Sequence, residues 1–478
     1  MDHRLDERLK ASAQRFDRLA AGRERWKRHN HYYYRKIADY YRFYVPEGYS
    51  VLEVGSGDGD LLAALKPTRG LGVDASPEFV GLASSRHPSL EFRQGYAESL
   101  ETSGETFDYI VLSDLVGHLE DVQLAFERVR KCCHSRTRIV ISYYNYLWEP
   151  FLSLGSKLGL RMKQNAQNWL SLDDLENLLR ISGYDVIKKT RKVIFPWDIP
   201  LVSDLLNRVL SNLPFFRHLC LLGFIVARPA PEPKASEPPP SISIVVACRN
   251  EKGNIEEIVR RMPSFPGPSE ILFVDGRSTD GTCEEIERVA KLYPDKQVRL
   301  FHQTVANGKG GAVRIGFDNA RYDLLIIHDA DNTVAPEDAP KFYRLLAERK
   351  GEFINGTRMV YQMEKGAMRF LNILGNKFFS IAFTYLLEQT IKDTLCGTKA
   401  LRRSDYLEIA RNRAYFGEFD PFGDFDLLFG AARLNLKIVE VPVRYYERTY
   451  GTTKIRRFHD GCLLLGMCGI ALKKLKFI

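Results

Sequence analysis

The sequence predicts an α/β protein of two domains with mainly parallel sheets, joined by a proline-rich linker. Three observations predict it. The chain has 478 residues, more than one core of ordinary size accommodates. Both halves alternate short β-branched runs with glycine-rich turns and amphipathic helical stretches. Between them, Pro229 to Pro240 holds six prolines in twelve residues, which excludes helix and sheet interiors and favours an extended spacer.

Apolar residues make up 45% and charged residues 27%, a globular balance that excludes disorder and fibrous repeats. The eight cysteines lack metal-ligand spacing, and the region after Met1 is charged where a secretory signal needs an apolar core, so a reducing cytoplasm is expected. The formal charge of +9 is concentrated at the ends. Residues 1–36 carry eleven Lys or Arg against five acids, and Arg444 to Ile478 eight against two. Such patches suit phosphate groups, acidic lipid headgroups or nucleic acid, or else form solvated faces. With no recognition motif in the chain, nucleic acid is not an expected partner.

The run Gly461 to Leu472 is free of charge, but twelve helical residues span roughly 18 Å against about 30 Å of hydrocarbon. It is expected to lie on an anionic membrane surface, with Leu463, Met467 and Ile470 inserted and Arg456, Arg457, Lys473, Lys474 and Lys476 at the headgroups. Met368 to Leu387 likewise reads as an interfacial helix rather than a span. The expected location is therefore cytoplasmic and peripheral, at the inner face of the cell membrane. The expected boundaries are a basic helical extension at 1–29, a first domain at 30–228, the linker at 229–240, a second domain at 241–457 and a basic amphipathic helix at 458–478.

In the first half Ser50 to Val54, Gly70 to Val73, Tyr109 to Leu112 and Arg138 to Ser142 read as buried strands. Val51-Leu-Glu-Val-Gly-Ser-Gly-Asp-Gly59 is a strand entering a glycine-dense turn and then a helix near Asp60. Glycines there let a ligand approach the backbone, and Glu53 can meet a ligand amine. Gly70-Leu-Gly-Val-Asp74 ends the next strand on an acid about twenty positions on, the placement of an acceptor for ribose hydroxyls. With Phe107 to Asp114 and Gly117 to Asp121, residues 30–228 resemble class I S-adenosylmethionine-dependent methyltransferases.

That resemblance implies a Rossmann-like fold, S-adenosyl-L-methionine as cofactor, and Glu53, Gly55, Gly57, Gly59, Asp74 and Asp114 as the residues that hold it. Tyr96 stands where many relatives carry an adenine-contacting acid. His118 and Asp114 are candidates for a base, needed only if the methyl acceptor must lose a proton. Tyr143 to Tyr146 and Trp148 either shape an acceptor pocket or pack beneath a covering helix.

In the second half Ser243 to Ala247, Glu270 to Val274, Val298 to Phe301 and Leu324 to Ile327 read as strands. Asp275 ends the second of these, and Asp329 and Asp331 stand one residue apart where the fourth breaks. Such spacing suits Mg²⁺ or Mn²⁺ bridging a diphosphate. Asn307 to Arg314, Ile354 to Arg358, Asp393 to Ala400 and Val441 to Ile455 follow in order, and together these segments resemble family 2 glycosyltransferases, narrowing to polyprenyl-phosphate sugar transferases such as dolichol-phosphate mannose synthase.

The likeness, over about residues 241–465, implies a GT-A fold, a nucleotide-diphospho-sugar donor and a polyprenyl phosphate acceptor. It implies Asp329 and Asp331 as catalytic metal ligands, and Ala247, Arg249, Glu251, Asp275, Lys309 and Arg358 at the nucleotide-sugar. Arg448 and Lys454 would hold the acceptor phosphate, with Asp424 and Asp426 as acids near it or as helix-starting caps. Three residues depart from the family pattern: Ala247 for a proline, Gly276 for a second acid and Thr333 for a glutamine. The expected protein is thus a bifunctional transferase. Its alternative transfers the sugar to a hydroxyl of a surface polysaccharide, with the first half a binding or scaffold module.

Overall fold

The computed structural model describes residues 3–20, 22–157, 168, 170–232, 238–304, 308–360, 370–415, 425–448, 450 and 457–477. The chain divides into two compact units, one holding 1–230 with 476–478 and the other 231–475.

The first unit opens with three helices, α1 (His3–Ala20), α2 (Arg23–His29) and α3 (His31–Tyr44). Its sheet comprises β1 (Ser50–Val54), β2 (Arg69–Asp74), β3 (Glu91–Gln94), β4 (Phe107–Ser113), β5 (Cys133–Tyr144), β6 (Tyr184–Lys192) and β7 (Leu222–Pro229), with helix α4 (Asp60–Ala64) following β1. The order β3-β2-β1-β4-β5-β7-β6 is parallel except for β7, which runs antiparallel to both neighbours. Both faces are covered, which is why the strands read as continuous apolar runs. Leu52, Leu71, Ile110 and Ile139 pack with Phe126, Val129, Leu175 and Leu179 on one side. Val51, Val111, Val140 and Phe224 meet Tyr33, Ile37, Tyr40, Tyr41 and Tyr44 of α3 on the other.

The second unit holds β8 (Ile242–Cys248), β9 (Ser269–Asp275), β10 (Val298–His302), β11 (Leu324–Asp329), β12 (Phe353–Thr357), β13 (Lys399–Arg402) and β14 (Ile438–Pro442) in the order β10-β9-β8-β11-β13-β12-β14. Only β13 runs against its neighbours. Ile244, Val246, Phe273 and Ile326 pack with Ile255, Ile258, Val289, Phe342 and Leu346. All eight strands read from the sequence are present, seven within two residues of their expected bounds, while β5 begins five residues before the expected Arg138.

Three readings change. Pro229 is the last residue of β7, paired with Tyr184, so the linker starts after it; a strand's final residue can be proline without breaking the ladder. At the other end, Pro240 accepts a hydrogen bond from Tyr343 Oη at 2.9 Å and belongs to the packed second unit. Of the residues expected to insert from the last helix, Arg457–Ala471, Met467 is buried at 2% exposure, whereas Leu463 and Ile470 are half-buried; Leu464 and Ala471 are buried beside Met467, and Leu465 is exposed. That helix packs on Phe370–Leu387, where Asn376, Phe379 and Phe383 are buried and Phe378 and Ile381 are exposed. Among the described residues no helix is long and apolar enough to cross a membrane.

Candidate functional sites

In the first unit the carboxyl ends of β1, β2 and β4 bring Glu53, Asp74 and Asp114 to one cavity of about 540 Å³. The turn between β1 and α4 holds Gly55, Gly57 and Gly59 at φ of +77°, +51° and +77°. A side chain at Gly59 would also strike Phe92, with its Cβ 2.6 Å from the ring, so glycine there serves both the turn and the packing. Asp74 braces the turn: Oδ2 accepts the Gly57 N–H at 2.8 Å and Oδ1 the Ser76 N–H at 2.9 Å.

Glu53 is buried, and its Oε2 and the nearby Ser56 Oγ have no hydrogen-bond partner in the protein. Burial, and then the neighbouring Asp58 charge, raise the Glu53 carboxyl well above its usual range. Acceptors left this way beside a glycine-lined cavity fit a ligand that brings cationic donors. S-adenosylmethionine carries an ammonium and a sulfonium, and the residues present fit it.

Asp114 sits just past β4 at φ +52°. Ser142 Oγ donates to its Oδ1 at 2.8 Å, and Tyr33 Oη donates to its Oδ2 at 2.7 Å while lying 2.8 Å from Tyr144 Oη. His118 lines the cavity and meets the Phe16 ring edge-on at 5.4 Å. Tyr96 lines it too. Two residues on, Glu98 is buried and accepts the N–H groups of Glu120 and Asp121, an acid at this wall that the sequence reading passed over.

The basic extension is part of this site. Leu9, Ser12, Phe16 and Leu19 of α1, with Arg23 and Lys27 of α2, line the cavity. Lys27 Nζ stands 2.6 Å from carboxylate oxygens of both Asp58 and Asp60, and Ser76 Oγ bonds Asp17 of α1. The expected basic extension thus places its helices α1 and α2 along this cavity. The three-to-four spacing of Leu9, Ala13, Phe16 and Leu19 was the signal available in the sequence.

In the second unit the ends of β8, β9 and β11 lie side by side, with Asp275 opposite Cys248 and Asp329 opposite Ala247. Asn250, Arg277 and Asn332, shortly after each strand, all adopt positive φ. Such strain clusters where a fold presents a ligand site. Asp275 accepts the N–H groups of Arg277 and Ser278. Asn250 and Glu251 tie the first turn to the second through Ser278, Thr279 and Thr282. Gly276, in place of a second acid, donates its N–H to Cys248 O. Arg249 is exposed at the rim and Ala247 is half-buried.

Each acid of the expected metal pair faces a cation. Asp329 Oδ1 lies 2.6 Å from Lys309 Nζ; burial opposes ionisation, yet the Lys309 ammonium holds this carboxyl below its usual range. Asp331 bonds Arg448 through Oδ2, and its Oδ1 accepts the Thr333 N–H and hydroxyl. Arg448 also reaches Glu251 at 3.5 Å. A Cβ at Gly397 would fall 2.1 Å from Asp329 Oδ2, so the bare backbone there leaves the carboxylate room. Two carboxylates already balanced by displaceable cations, beside a glycine, fit a divalent ion that draws its other ligands from a diphosphate. Among the described residues the three-residue cluster with metal-ligand geometry lies elsewhere, at Asp275, Cys283 and His302.

Arg358 is committed otherwise than expected. Its Nε and Nη2 donate to the two oxygens of Asp393 at 2.7 and 2.9 Å, and Asp393 is wholly buried. Asn376 and the Arg358 and Leu395 N–H groups complete the shell of that carboxylate, and the Tyr445 ring lies 5.0 Å from the guanidinium. Two of the guanidinium's five donors are thereby held on a buried carboxylate. Asp426, second residue of the helix Phe425–Arg433, is held by Arg413 at 2.7 Å and Arg314 at 3.2 Å. Asp424 and Lys454 lie outside the described residues.

Residues 26–189 match the family model of a methyltransferase domain, and residues 243–409 that of glycosyl transferase family 2. Glycosyltransferase AglJ of Haloferax volcanii is 29% identical over 228 residues, covering 47% of this chain and 70% of its own. The undecaprenyl-phosphate mannosyltransferase of Micrococcus luteus is 28% identical over 225 residues, 44% of this chain and 86% of its own. The polyprenol monophosphomannose synthase of Mycolicibacterium smegmatis is 28% identical over 227 residues, 47% of this chain and 84% of its own.

Proposed function

We propose, for a chain that joins a methyltransferase domain to a family 2 glycosyltransferase domain, that the second unit transfers a sugar from a nucleotide-diphospho-sugar to a polyprenyl phosphate, and that the first methylates an acceptor with S-adenosylmethionine. The observation that carries the first half is the pairing of Asp329 with Lys309 and Asp331 with Arg448 at one sheet edge, together with the activities named for two relatives of this unit.

Asp329 and Asp331 would hold Mg²⁺ or Mn²⁺, which would supply charge neutralisation for the diphosphate. Arrival of the donor releases Lys309 and Arg448 from the two acids and turns both cations to phosphate oxygens. Asp275 and Glu251 shape the nucleotide pocket. An acceptor phosphate oxygen attacks the anomeric carbon, the bond to the nucleoside diphosphate breaks, and the configuration inverts. The nucleophile is already anionic, so no protein base is required. In the first unit Glu53 receives the ammonium of the cofactor and Asp74 its ribose.

Labelled donor and a short polyprenyl phosphate test the transfer: the product should partition into organic solvent and require the divalent ion. A water-soluble product would move the acceptor to a sugar hydroxyl. Calorimetry with S-adenosylmethionine tests the first unit, and absence of heat at millimolar ligand would reduce it to a scaffold.

A further inference from the structure

The segment from Trp197 to Leu219 of the first unit is built inside out. Its short helical turns carry Leu201, Leu205, Val209 and Leu213, spaced by four, on the solvent side, and Leu201 is 87% and Leu205 61% exposed. Ser203, Asn207 and Ser211, also spaced by four, face inward and are buried. Their polar groups are satisfied there. Asn207 Oδ1 accepts the N–H groups of Ile194 and Phe195, its Nδ2 donates to Phe195 O and Tyr32 Oη, and Ser203 Oγ donates to Trp197 O. The usual helix in water shows the reverse arrangement. Leu201 moreover holds φ at +64°, an unfavourable angle for a branched side chain that here presents the most exposed large apolar group among the described residues.

A second segment is bound to the end of the first. Trp148 Nε1 donates to Leu219 O, and Asn145 Nδ2 donates to His218 O and Cys220 O, which stitches the two together. From it Phe151 projects at 66% exposure, and Phe215 on the first segment at 74%. An apolar surface of this extent marks a contact with something other than water.

We infer that this face docks on an anionic lipid surface, with Leu201, Leu205, Phe151 and Phe215 entering the headgroup boundary. Two features select lipid as the occupant. Trp197, Tyr146 and the phenylalanines are the residue types that settle at a membrane interface. Arg217 on the segment and Arg191 beside it remain once the segment's acids are matched: Asp198 by His31 and Arg35, Asp204 by Arg208 and Lys36. Glu149 remains the acid on the second segment. This site differs from the C-terminal helix expected from the sequence, whose Met467 is buried.

The test uses the full chain and phosphatidylcholine vesicles with and without phosphatidylglycerol, containing neither donor nor polyprenyl phosphate, so it reads docking apart from the transfer reaction. Flotation should recover the protein with anionic vesicles and lose it in high salt. The doubly substituted L201D/L205D chain should partition at least about tenfold more weakly while binding S-adenosylmethionine and melting as the parent does, since both side chains already face outward. Brominated lipid should quench Trp197 in the parent, a signal lost in Trp197→Phe. Equal flotation of parent and double variant would overturn the proposal. So would a parent that ignores vesicles but is a dimer that the double substitution splits, which would assign the face to a second copy of the chain.

Discussion

Lys27 Nζ stands 2.6 Å from each carboxylate oxygen of Asp58, so a helix near the start of the chain is clamped onto the glycine turn of the cofactor cavity. Asp58 is 3% exposed, and Arg23 and Arg86 approach it only to 3.9 Å. Lys27→Ala leaves a buried carboxylate without its close partner. The expected cost is about 1 to 3 kcal/mol of stability, with faster release of S-adenosylmethionine as the cover loosens. Urea unfolding and stopped-flow displacement read the two effects. An unchanged midpoint would mean that the two arginines replace the lysine.

Glu53 sets the pH dependence of the same site. Its folded carboxyl is raised by burial and by Asp58, so its contribution to stability is complete below the unfolded value and is lost as pH rises through the folded one. A cationic ligand favours the ionised form and expels the proton. Affinity for S-adenosylmethionine should therefore rise with pH above the ordinary carboxylate range. Glu53→Gln should flatten that rise and weaken binding by about 1.5 to 3 kcal/mol, the worth of a charged hydrogen bond. Calorimetry in buffers of different ionisation heat counts the released proton.

Asp331→Asn keeps the shape that accepts Thr333 but removes the charge facing Arg448. On the proposed reading, in which Asp331 would hold the divalent ion, sugar transfer should fall by about a hundredfold or more, since an interaction worth several kcal/mol would be lost. S-adenosylmethionine affinity should stay as it was, because Glu53 and Asp74 belong to the other compact unit. Parallel loss of both would show that the two sites are coupled.

Asp393→Asn tests the reassignment of Arg358. Removing one partner from a buried ion pair typically costs about 3 to 5 kcal/mol. The second unit should lose that stability whether or not a nucleotide-sugar is present, and Arg358→Lys in the parent should lose stability too, because an ammonium cannot span both oxygens of Asp393. Were Arg358 a phosphate ligand instead, Arg358→Lys would melt normally and bind donor weakly.

The strand ends were legible because β-branched runs stop at Glu53, Asp74, Asp275 and Asp329, and local sequence alone dictates that. The cover over the cofactor cavity was not, since eleven cations in the first 36 residues mask the apolar spacing of Leu9, Ala13, Phe16 and Leu19. Arg358 misled for a related reason. Its charge is visible in the sequence, whereas its partner Asp393 is 35 residues away and only tertiary structure joins them. The inverted stripe from Leu201 to Leu213 has the periodicity of an ordinary buried helix face, and periodicity does not say which side is turned to the core.

The C-terminal helix carries the last prediction. Of the residues expected to meet a membrane, Met467 is buried while Leu463 and Ile470 are half-buried; Leu464, Ala471 and Leu475 are buried as well, and Lys474 Nζ lies 5.0 Å over the Tyr415 ring while Tyr415 Oη donates to Lys474 O. Truncating a buried Leu or Met to Ala costs about 2 to 5 kcal/mol. Leu464→Ala with Met467→Ala should therefore lower the melting temperature of the second unit markedly, and removal of residues 458–478 should abolish its folding. Vesicle binding by the first unit should survive the double substitution, because the outward stripe at Leu201 and Leu205 is untouched. Differential scanning calorimetry and flotation on the same sample separate the two effects: loss of flotation at an unchanged melting temperature would return the membrane contact to this helix.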